Sequence, residues 1–337
     1  TVGRLNTCGP LAMATPGALA GWADALSRYG RFSLADVMEP AIRHAKRGFT
    51  ASSYLSECTD EAKDDLAKDP NIAALYLPDG APLQPGHRVV QSEYAETLQT
   101  IADEGIAAFY DGAIGAALTE YMAKCGGLIT QADLAECAPI DRHAIHGSYR
   151  GYEIIGPPPP ASSGLHIAQM LKILEGFDLA EMGFGSVEAT HLLIEALKIA
   201  FADRVASTAD PAFVDVPVER LLDPAYAAER RAQIRLDTTQ DWGPGVQVHE
   251  SDHTTHMTAA DADGWVVAAT QTINNLFGAR FIIPGTGIIA NNYMNLFDPH
   301  PGRANSIEPG KRVTTSMSPM MACCLLYTSP SPRDLST

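Results

Sequence analysis

The sequence predicts an α+β fold, because helical and strand-like patterns occupy different parts of the chain. Apolar residues recur with helical spacing through the first part, whereas alternating, β-branched segments follow from residue 254. Helices first and strands later, with no internal repeat, argues against alternating βαβ units. The 337 residues, 46% of them hydrophobic, suffice for one large core or two smaller ones.

The composition narrows the range of partners. The chain carries 24 basic and 40 acidic residues, a net charge of −16, so it should repel nucleic acid. No apolar run approaches the ~20 residues of a membrane span. The cysteines show neither CxxC nor zinc-ligand spacing, so we expect buried, reduced thiols. They are Cys8, Cys58, Cys125, Cys137, Cys323 and Cys324.

Capping residues and periodicity predict the early helices. A helix should run over residues 17–29. Ser33 is a predicted N-cap for the next helix, which Gly48 should end. Thr130 is a predicted N-cap above Asp133.

The middle of the chain predicts one strand and two helices. SYRGYEIIG, residues 148–156, is typical of a strand, and the PPPPASSG run after it should form a turn. Helices are then expected over 165–175 and 187–204. The second should bury a stripe of Leu192, Leu193, Ala196, Leu197 and Ala200.

A hairpin is predicted where the polar stretch HESDHTTHMTAADADG meets the strands. The segments 254–260 and 265–272 are strand-like, and the loop Ala262-Asp263-Gly264 between them is typical of a bulged turn. That register places Thr254 opposite Thr272, and a slip of one residue would place Gln271 there. FIIPGTGIIANNYMNLF predicts a further strand pair.

Three interpretations of the polar stretch stay open at this point. Its metal-ligand types are His249, Asp252, His253 and His256. Their spacing matches no short zinc motif, and in a strand His253 and His256 point to opposite faces, so no metal is expected. The second interpretation is a merely polar loop. In the third, cleavage of the 253–254 bond gives Thr254 a free α-amine, whose ordinary pKa of about 7.7–8.0 makes it a base for its own hydroxyl.

The chain resembles the γ-glutamyltranspeptidase family of N-terminal-nucleophile hydrolases from about residue 15 to residue 322. The motifs that carry the resemblance include GGLITQADLA, YRGYEIIGPPPPASSG, HLLIEALKIAFADR, TTHMTAADADG, TQTINNLFG, NNYMNLF, PGKR and TSMSP. The resemblance implies a four-layer αββα sandwich. It also implies a precursor that cleaves itself at the His253–Thr254 bond into a large and a small subunit.

The resemblance also implies roles for individual residues. Thr254 matches the nucleophile that forms an acyl-enzyme, and Thr272 matches the second threonine that hydrogen-bonds it. Asn274 matches the asparagine that holds the substrate's α-substituents. Thr315 and Ser316 match the Ser-Ser pair that grips the substrate α-carboxylate. The implied acyl acceptor is water, an amino acid or a peptide, and no cofactor is implied.

One motif departs from the family pattern. Well-studied members have NNQMDD, whose Gln and Asp contact the substrate α-ammonium, and here NNYMNL places Tyr293 and Leu296 at those positions. The missing carboxylate removes a charge-assisted contact. An acyl group without an α-amine, such as glutaryl, therefore becomes plausible, as in the cephalosporin-acylase-like branch of the family.

The ends of the chain carry two further expectations. Residues 1–253 are expected to be the C-terminal part of the large subunit and 254–323 the N-terminal part of the small one. A DNA sequence matching a transposase end and sequencing adapter encodes Cys324 through Asp334, so residues 324–337 are expected to be non-native. The family's carboxylate-binding arginine and Gly-Gly oxyanion donors would then lie outside the chain, which should be at most weakly active as it stands.

The leading functional hypothesis is an autoprocessing γ-glutamyl hydrolase or transpeptidase that acts on amides such as glutathione. The alternatives are a glutaryl or cephalosporin-type acylase of the same family, and a non-catalytic binding fragment in which the TTH segment is only structural.

Overall fold

A computed structural model describes residues 2–243 and 253–324, and it confirms the predicted mixture of helices and strands. The described helices are α1 (Ala18–Tyr29), α2 (Leu34–Arg47), α3 (Ser53–Leu66), α4 (Pro70–Tyr76), α5 (Ser92–Glu104), α6 (Ala107–Tyr110), α7 (Ala113–Cys125), α8 (Gln131–Ala135), α9 (Ser163–Leu174), α10 (Leu179–Met182), α11 (Val187–Ser207), α12 (Val218–Leu222) and α13 (Pro224–Gln233). The described strands are β1 (Phe49–Thr50), β2 (Arg88–Val89), β3 (Ile145–Tyr149), β4 (Tyr152–Gly156), β5 (Thr255–Ala260), β6 (Val266–Gln271), β7 (Ile282–Ile283), β8 (Ile288–Ile289) and β9 (Met321–Cys324).

The described residues form two compact units. Unit 1 contains residues 2–141, 253–254 and Thr272–Asn295, and unit 2 contains 142–243, Thr255–Gln271 and 296–324. The described sheets have two or three strands each. The four-layer αββα arrangement therefore stays a prediction. So does the division into subunits, which is a matter of chain cleavage rather than of spatial units.

The predicted caps order the helices of unit 1. Ser33 and Asp36 form a reciprocal capping box at the start of α2, and Gly48, with φ of 76°, ends that helix. Thr130 forms the same kind of box with Asp133 at α8. These caps satisfy main-chain N–H groups that have no partner within the helix.

The short hairpin β7–β8 anchors the segment after Thr272 in unit 1. Ile283 is buried in a cluster with Leu118 and Met122 of α7. Its neighbour Ile282 is buried in a second cluster, with Leu66 of α3 and Ile72 of α4. Successive strand residues point to opposite faces, so this strand joins both apolar cores.

Unit 2 corrects the prediction of one continuous strand over 148–156. Two antiparallel strands, β3 and β4, meet at a two-residue turn, and Tyr149 pairs with Tyr152. The turn residues Arg150 and Gly151 both have positive φ, 48° and 85°, the conformation of a tight hairpin. β9 adds to the other edge of β4, with Cys324 paired to Tyr152. Residues 325–337 lie outside the described residues.

Two further predictions for buried residues are only partly right. In α11, Leu192, Ala196 and Ala200 are buried, but Leu193 and Leu197 are exposed, so the apolar stripe is narrower than predicted. All six cysteines are free thiols, yet only Cys58 is buried; Cys125 ends a helix and Cys323 lies on an edge strand, and both are exposed.

Candidate functional site

The β5–β6 hairpin has the predicted register. Thr255 pairs with Gln271 and Ala260 pairs with Val266. At the turn, the Asp261 N–H donates to the Trp265 carbonyl at 3.1 Å. Gly264 has φ of 90°, as the bulge position requires. Continued by one residue at the open end, this register sets Thr254 opposite Thr272.

The Thr272 hydroxyl contacts the peptide bond that precedes Thr254. Its Oγ1 donates to the His253 carbonyl oxygen at 3.0 Å, and the Asn274 N–H donates to that Oγ1 at 2.9 Å. A longer contact, 3.4 Å to the Asn274 carbonyl, competes for the same hydroxyl proton. A donor on the His253 carbonyl makes its carbon more electrophilic and stabilises negative charge on its oxygen.

Thr254 itself is exposed and lies immediately before β5. His256, two residues later, is a strand residue as predicted. Its ring contacts the Thr270 and Thr258 hydroxyls at 2.7 and 3.1 Å. His249 and Asp252 lie outside the described residues. Over residues 2–243 and 253–324, His, Cys, Asp and Glu side chains form no group of three or more that could hold a metal ion.

Asn274 is buried and has a positive φ of 76°. Asparagine tolerates this left-handed conformation better than most residues. The Asn274 Nδ2 donates to Oδ1 of Asn292 at 3.1 Å, and the Asn275 N–H donates to the same Oδ1 at 3.0 Å. Nδ2 of Asn292 in turn donates to the Thr7 carbonyl at 2.9 Å. Asn292 therefore fixes the loop that carries Asn274.

A second asparagine, Asn291, joins the segment before Tyr293 to Ala14 near the start of the chain. Oδ1 of Asn291 accepts from the N–H groups of Ala14 and Tyr293, both at 3.1 Å. Its Nδ2 donates to the Ala14 carbonyl at 2.8 Å. Asn274, Asn275, Asn291 and Asn292 together are termed the asparagine network. Asn291 and Asn292 were not predicted as site residues, although they form the NN dipeptide directly before Tyr293.

Tyr293 begins a 3-10 helix, Tyr293–Leu296, just after the asparagine network. Burial raises the pKa of its phenol to about 12. The group at this position is therefore neutral near pH 7. Leu296, three residues later, stands where the family pattern has Asp. This short helix therefore contributes no carboxylate at that position.

Tyr54 contacts the residue before Thr254, and no sequence signal pointed to it. Its Oη lies 3.0 Å from Nδ1 of His253. Unit 1 therefore brings together Tyr54, His253, Thr254, Thr272 and Asn274, and links Asn274 to Tyr293 through the asparagine network.

Thr315 and Ser316 belong to unit 2, where Thr315 is held through its own N–H and carbonyl groups. The Ser162 N–H and Oγ donate to the Thr315 carbonyl at 2.8 and 2.9 Å. The Thr315 N–H donates to the Pro160 carbonyl at 3.2 Å. The predicted turn PPPPASSG thus pairs with this segment. The anchoring does not use the Thr315 side chain.

Residues before Thr315 are held as well. The preceding Thr314 donates its hydroxyl to the Thr208 carbonyl at 3.1 Å. The Asp210 carboxylate accepts from the Arg312 N–H at 2.9 Å. Residues 312–317 are termed the Thr315 segment.

Comparisons with a family model and with individual proteins point to the same family. The profile of the Gamma-glutamyltranspeptidase family matches residues 2–326. The "Acylase ACY 1 proenzyme" of Pseudomonas sp. (strain SE83) is 62% identical over 319 residues, which cover 95% of this chain and 57% of that protein. The "Glutathione hydrolase proenzyme" of Escherichia coli (strain K12) is 39% identical over 92% of this chain and 56% of that protein.

A solved structure extends the likeness to the fold. The cephalosporin acylase from Bacillus halodurans superposes with a TM-score of 0.84 at 29% identity, covering 94% of this chain and 59% of that one. The chain thus spans less than two thirds of the length of each of these relatives. Among the described residues, no helix is long and apolar enough to cross a membrane.

Proposed function

This chain belongs to the γ-glutamyltranspeptidase family, and from that premise we propose that it comes from an amide hydrolase precursor that cleaves itself between His253 and Thr254. The observation that carries the proposal is the Thr272 hydroxyl, which donates to the carbonyl oxygen of that bond at 3.0 Å. The proposed complete enzyme has a large and a small subunit in a four-layer αββα sandwich and requires no cofactor.

Self-cleavage proceeds through an ester. The Thr254 oxygen attacks the His253 carbonyl carbon, the C–N bond breaks, and the hydroxyl proton passes to the departing Thr254 nitrogen. Water then hydrolyses the ester, leaving a carboxylate on His253 and restoring the Thr254 hydroxyl. The Thr272 hydroxyl stabilises the negative charge on the carbonyl oxygen during the attack.

The mature enzyme uses both groups of its new N-terminal residue. The free α-amine of Thr254, with an ordinary pKa of about 7.7–8.0, accepts the proton as the Thr254 hydroxyl attacks the substrate amide. The amine product leaves with that proton, and an acyl ester remains. Water or an amino-acid or peptide amine then releases the acyl group. Thr272 orients the nucleophile.

The remaining predicted residues are proposed to bind the acyl group. Asn274 holds the α-substituents of the substrate. The hydroxyls of Thr315 and Ser316 hold its α-carboxylate. Main-chain anchoring of Thr315 supports this role because it does not use the side-chain hydroxyl.

Two acyl groups are candidates, γ-glutamyl and glutaryl, which differ by the α-ammonium. Tyr293 and Leu296 favour glutaryl, because neither residue supplies an anion to pair with that cation. The identity of 62% to an acylase proenzyme, against 39% to a glutathione hydrolase proenzyme, supports an acylase over a glutathione hydrolase. Glutathione-type γ-glutamyl amides are then the poorer substrates.

A time course on a denaturing gel tests self-cleavage in the precursor expressed from the complete gene. Wild-type precursor should convert to two bands. Thr254→Ala should stay intact, while Thr254→Ser, which keeps a hydroxyl, should still cleave. If Thr254→Ala behaves like wild type, the proposal is wrong and the non-catalytic binding module is favoured. Activity lost on chelation would instead support a metallohydrolase.

Hydrolysis of γ-glutamyl and glutaryl anilides tests the acyl group. The cleaved wild-type enzyme should prefer the glutaryl compound. Leu296→Asp restores a carboxylate and should shift the ratio of kcat/KM toward γ-glutamyl by about tenfold or more. Leu296→Asn, similar in size but uncharged, is the matched control. A strong wild-type preference for the γ-glutamyl anilide would contradict the acylase assignment.

A further inference from the structure

We propose that Tyr54 is a positioning residue for self-cleavage, because it holds the side chain of the residue that precedes the scissile bond. The inference rests on the proposed cleavage between His253 and Thr254. It assigns a role to a residue that belongs to neither the nucleophile nor the substrate-binding set.

The contact joins a well-anchored helix to a short connecting segment. Tyr54 lies in the first turn of α3, and its Oη is 3.0 Å from Nδ1 of His253. The helix starts at the N-cap Ser52, whose hydroxyl accepts from the Leu55 N–H at 3.1 Å. Farther along, α3 buries Cys58, Ala62 and Leu66 in an apolar cluster. The Tyr54 phenol is therefore carried by a helix whose own position is fixed by its N-cap and its buried side chains.

Residues from different parts of unit 1 contact both the side chain and the carbonyl of His253. Tyr54 contacts its imidazole, and Thr272 donates to its carbonyl oxygen at 3.0 Å. Fixing both the side chain and the carbonyl restricts rotation of the peptide plane that Thr254 must attack. Restricting the reacting groups to a productive orientation lowers the entropic part of the barrier.

The contact can form with either protonation state of the ring. The phenol O–H donates to Nδ1 when that nitrogen carries no proton, and a protonated Nδ1 donates to the phenol oxygen. A hydroxyl at residue 54 is required in both cases. Phenylalanine keeps the ring and removes the contact.

The proposed effect is confined to maturation. After cleavage, His253 becomes the C-terminal residue of the large subunit and is no longer bonded to Thr254. Tyr54 then contacts a residue that is no longer covalently bonded to the nucleophile. Removing its hydroxyl should slow the appearance of mature enzyme and leave the turnover of mature enzyme unchanged.

The test compares conversion rates of precursor expressed from the complete gene. Tyr54→Phe should cleave about three- to tenfold more slowly than wild type, the value of one net hydrogen bond. Tyr29→Phe is the matched control, because the two tyrosines are 59% and 62% exposed in the same unit. It should cleave at the wild-type rate, and both mature variants should match wild type in kcat and in melting temperature.

A double-mutant cycle with His253→Ala separates this contact from a general effect on folding. If Tyr54 acts through His253, Tyr54→Phe should cause no further slowing in the His253→Ala background. Equal slowing in both backgrounds, or no slowing in wild type, overturns the inference. A wild-type precursor that never cleaves overturns the proposed function, and the inference with it.

Discussion

The asparagine network in unit 1 and the Thr315 segment in unit 2 carry predicted substrate contacts, but they are held in different ways. In the network, side-chain amides of Asn291 and Asn292 make the supporting bonds. In the segment, Thr315 is held through its own N–H and carbonyl, in a bridge with the PPPPASSG turn.

This difference determines how each region tolerates substitution. A loop held by buried amides loses several bonds when one side chain is removed. A segment held by main-chain pairing keeps most of its bonds, because every residue other than proline carries the same donor and acceptor. The asparagine network should therefore be sensitive to the loss of a single side chain, whereas the pairing between Thr315 and the PPPPASSG turn should tolerate such a loss.

The largest effect on the rate of self-cleavage is expected at Thr272, beside the asparagine network. Thr272→Val removes the hydroxyl that donates to the His253 carbonyl. Self-cleavage should slow by about 10²-fold, as when an oxyanion donor is removed. The half-time of precursor conversion on gels measures it. Thr272→Ser should retain most of the rate, and a valine variant that matured as fast as wild type would refute this role.

Removing the amide of Asn292 should be the most destabilising change to the network. Asn292→Ala removes the partner of the Asn275 N–H and of the Thr7 carbonyl, and it leaves Nδ2 of Asn274 only its longer, 3.3 Å bond to the main-chain carbonyl of residue 292. Unsatisfied buried groups cost about 1–3 kcal/mol each, and relaxation recovers part of this, so we expect a loss of about 3 kcal/mol. Urea unfolding measures it. A loss of stability similar to that of Ser162→Ala would show that the two regions do not differ in their dependence on single side chains.

A pH-dependent effect of intermediate size is expected behind the Thr315 segment, at His166. Nδ1 of His166 lies 2.8 Å from Oε1 of Gln169, whose Nε2 donates to Asp203. Nε2 of His166 lies 2.7 Å from the hydroxyl of Thr208, whose carbonyl accepts from Thr314. Burial lowers the pKa of His166 to about 4.

His166 should lower the free energy of unfolding at acid pH, because the pKa of its ring in the folded protein lies below the ordinary value of about 6.5. The folded state favours the neutral ring, so its contribution is complete above about pH 6.5 and is lost as the pH falls toward about 4. Between about pH 7 and about pH 5 the loss should be about 2 kcal/mol. Unfolding of wild type and His166→Gln at both pH values isolates it. Parallel pH profiles for the two proteins would argue against a buried neutral histidine.

The smallest effect is expected for Ser162→Ala, in the PPPPASSG turn. It removes one hydroxyl donor to the Thr315 carbonyl, while the Ser162 N–H keeps donating to the same oxygen at 2.8 Å. The cost should be about 1 kcal/mol by urea unfolding. A loss as large as that of Asn292→Ala would show that this side chain, too, is essential.

Local patterns in the sequence predicted the hairpin register and the helix caps. The Asp-Ala-Asp-Gly turn set the pairing that continues to Thr254 and Thr272, and Ser33 and Thr130 cap the helices expected of them. These features depend on residues close together in the chain, where turn and capping chemistry acts.

The errors concern conformation and contacts that the local pattern leaves open. Arg150-Gly151 turns the chain inside a run that alternates like one strand, because arginine adopts an unusual positive φ there. Tyr54 and His253 are 199 positions apart in the sequence, so only folding shows their contact. Leu193 and Leu197 fit a helical stripe, but which side of α11 is covered depends on its neighbours.

The most direct test is N-terminal sequencing of the smaller product from the matured full-length enzyme. The proposed mechanism predicts that the product begins with Thr254, followed by Thr255 and His256. A product that began at any other residue, or a fully active enzyme in which the His253–Thr254 bond stayed intact, would contradict the assignment of Thr254 as the nucleophile.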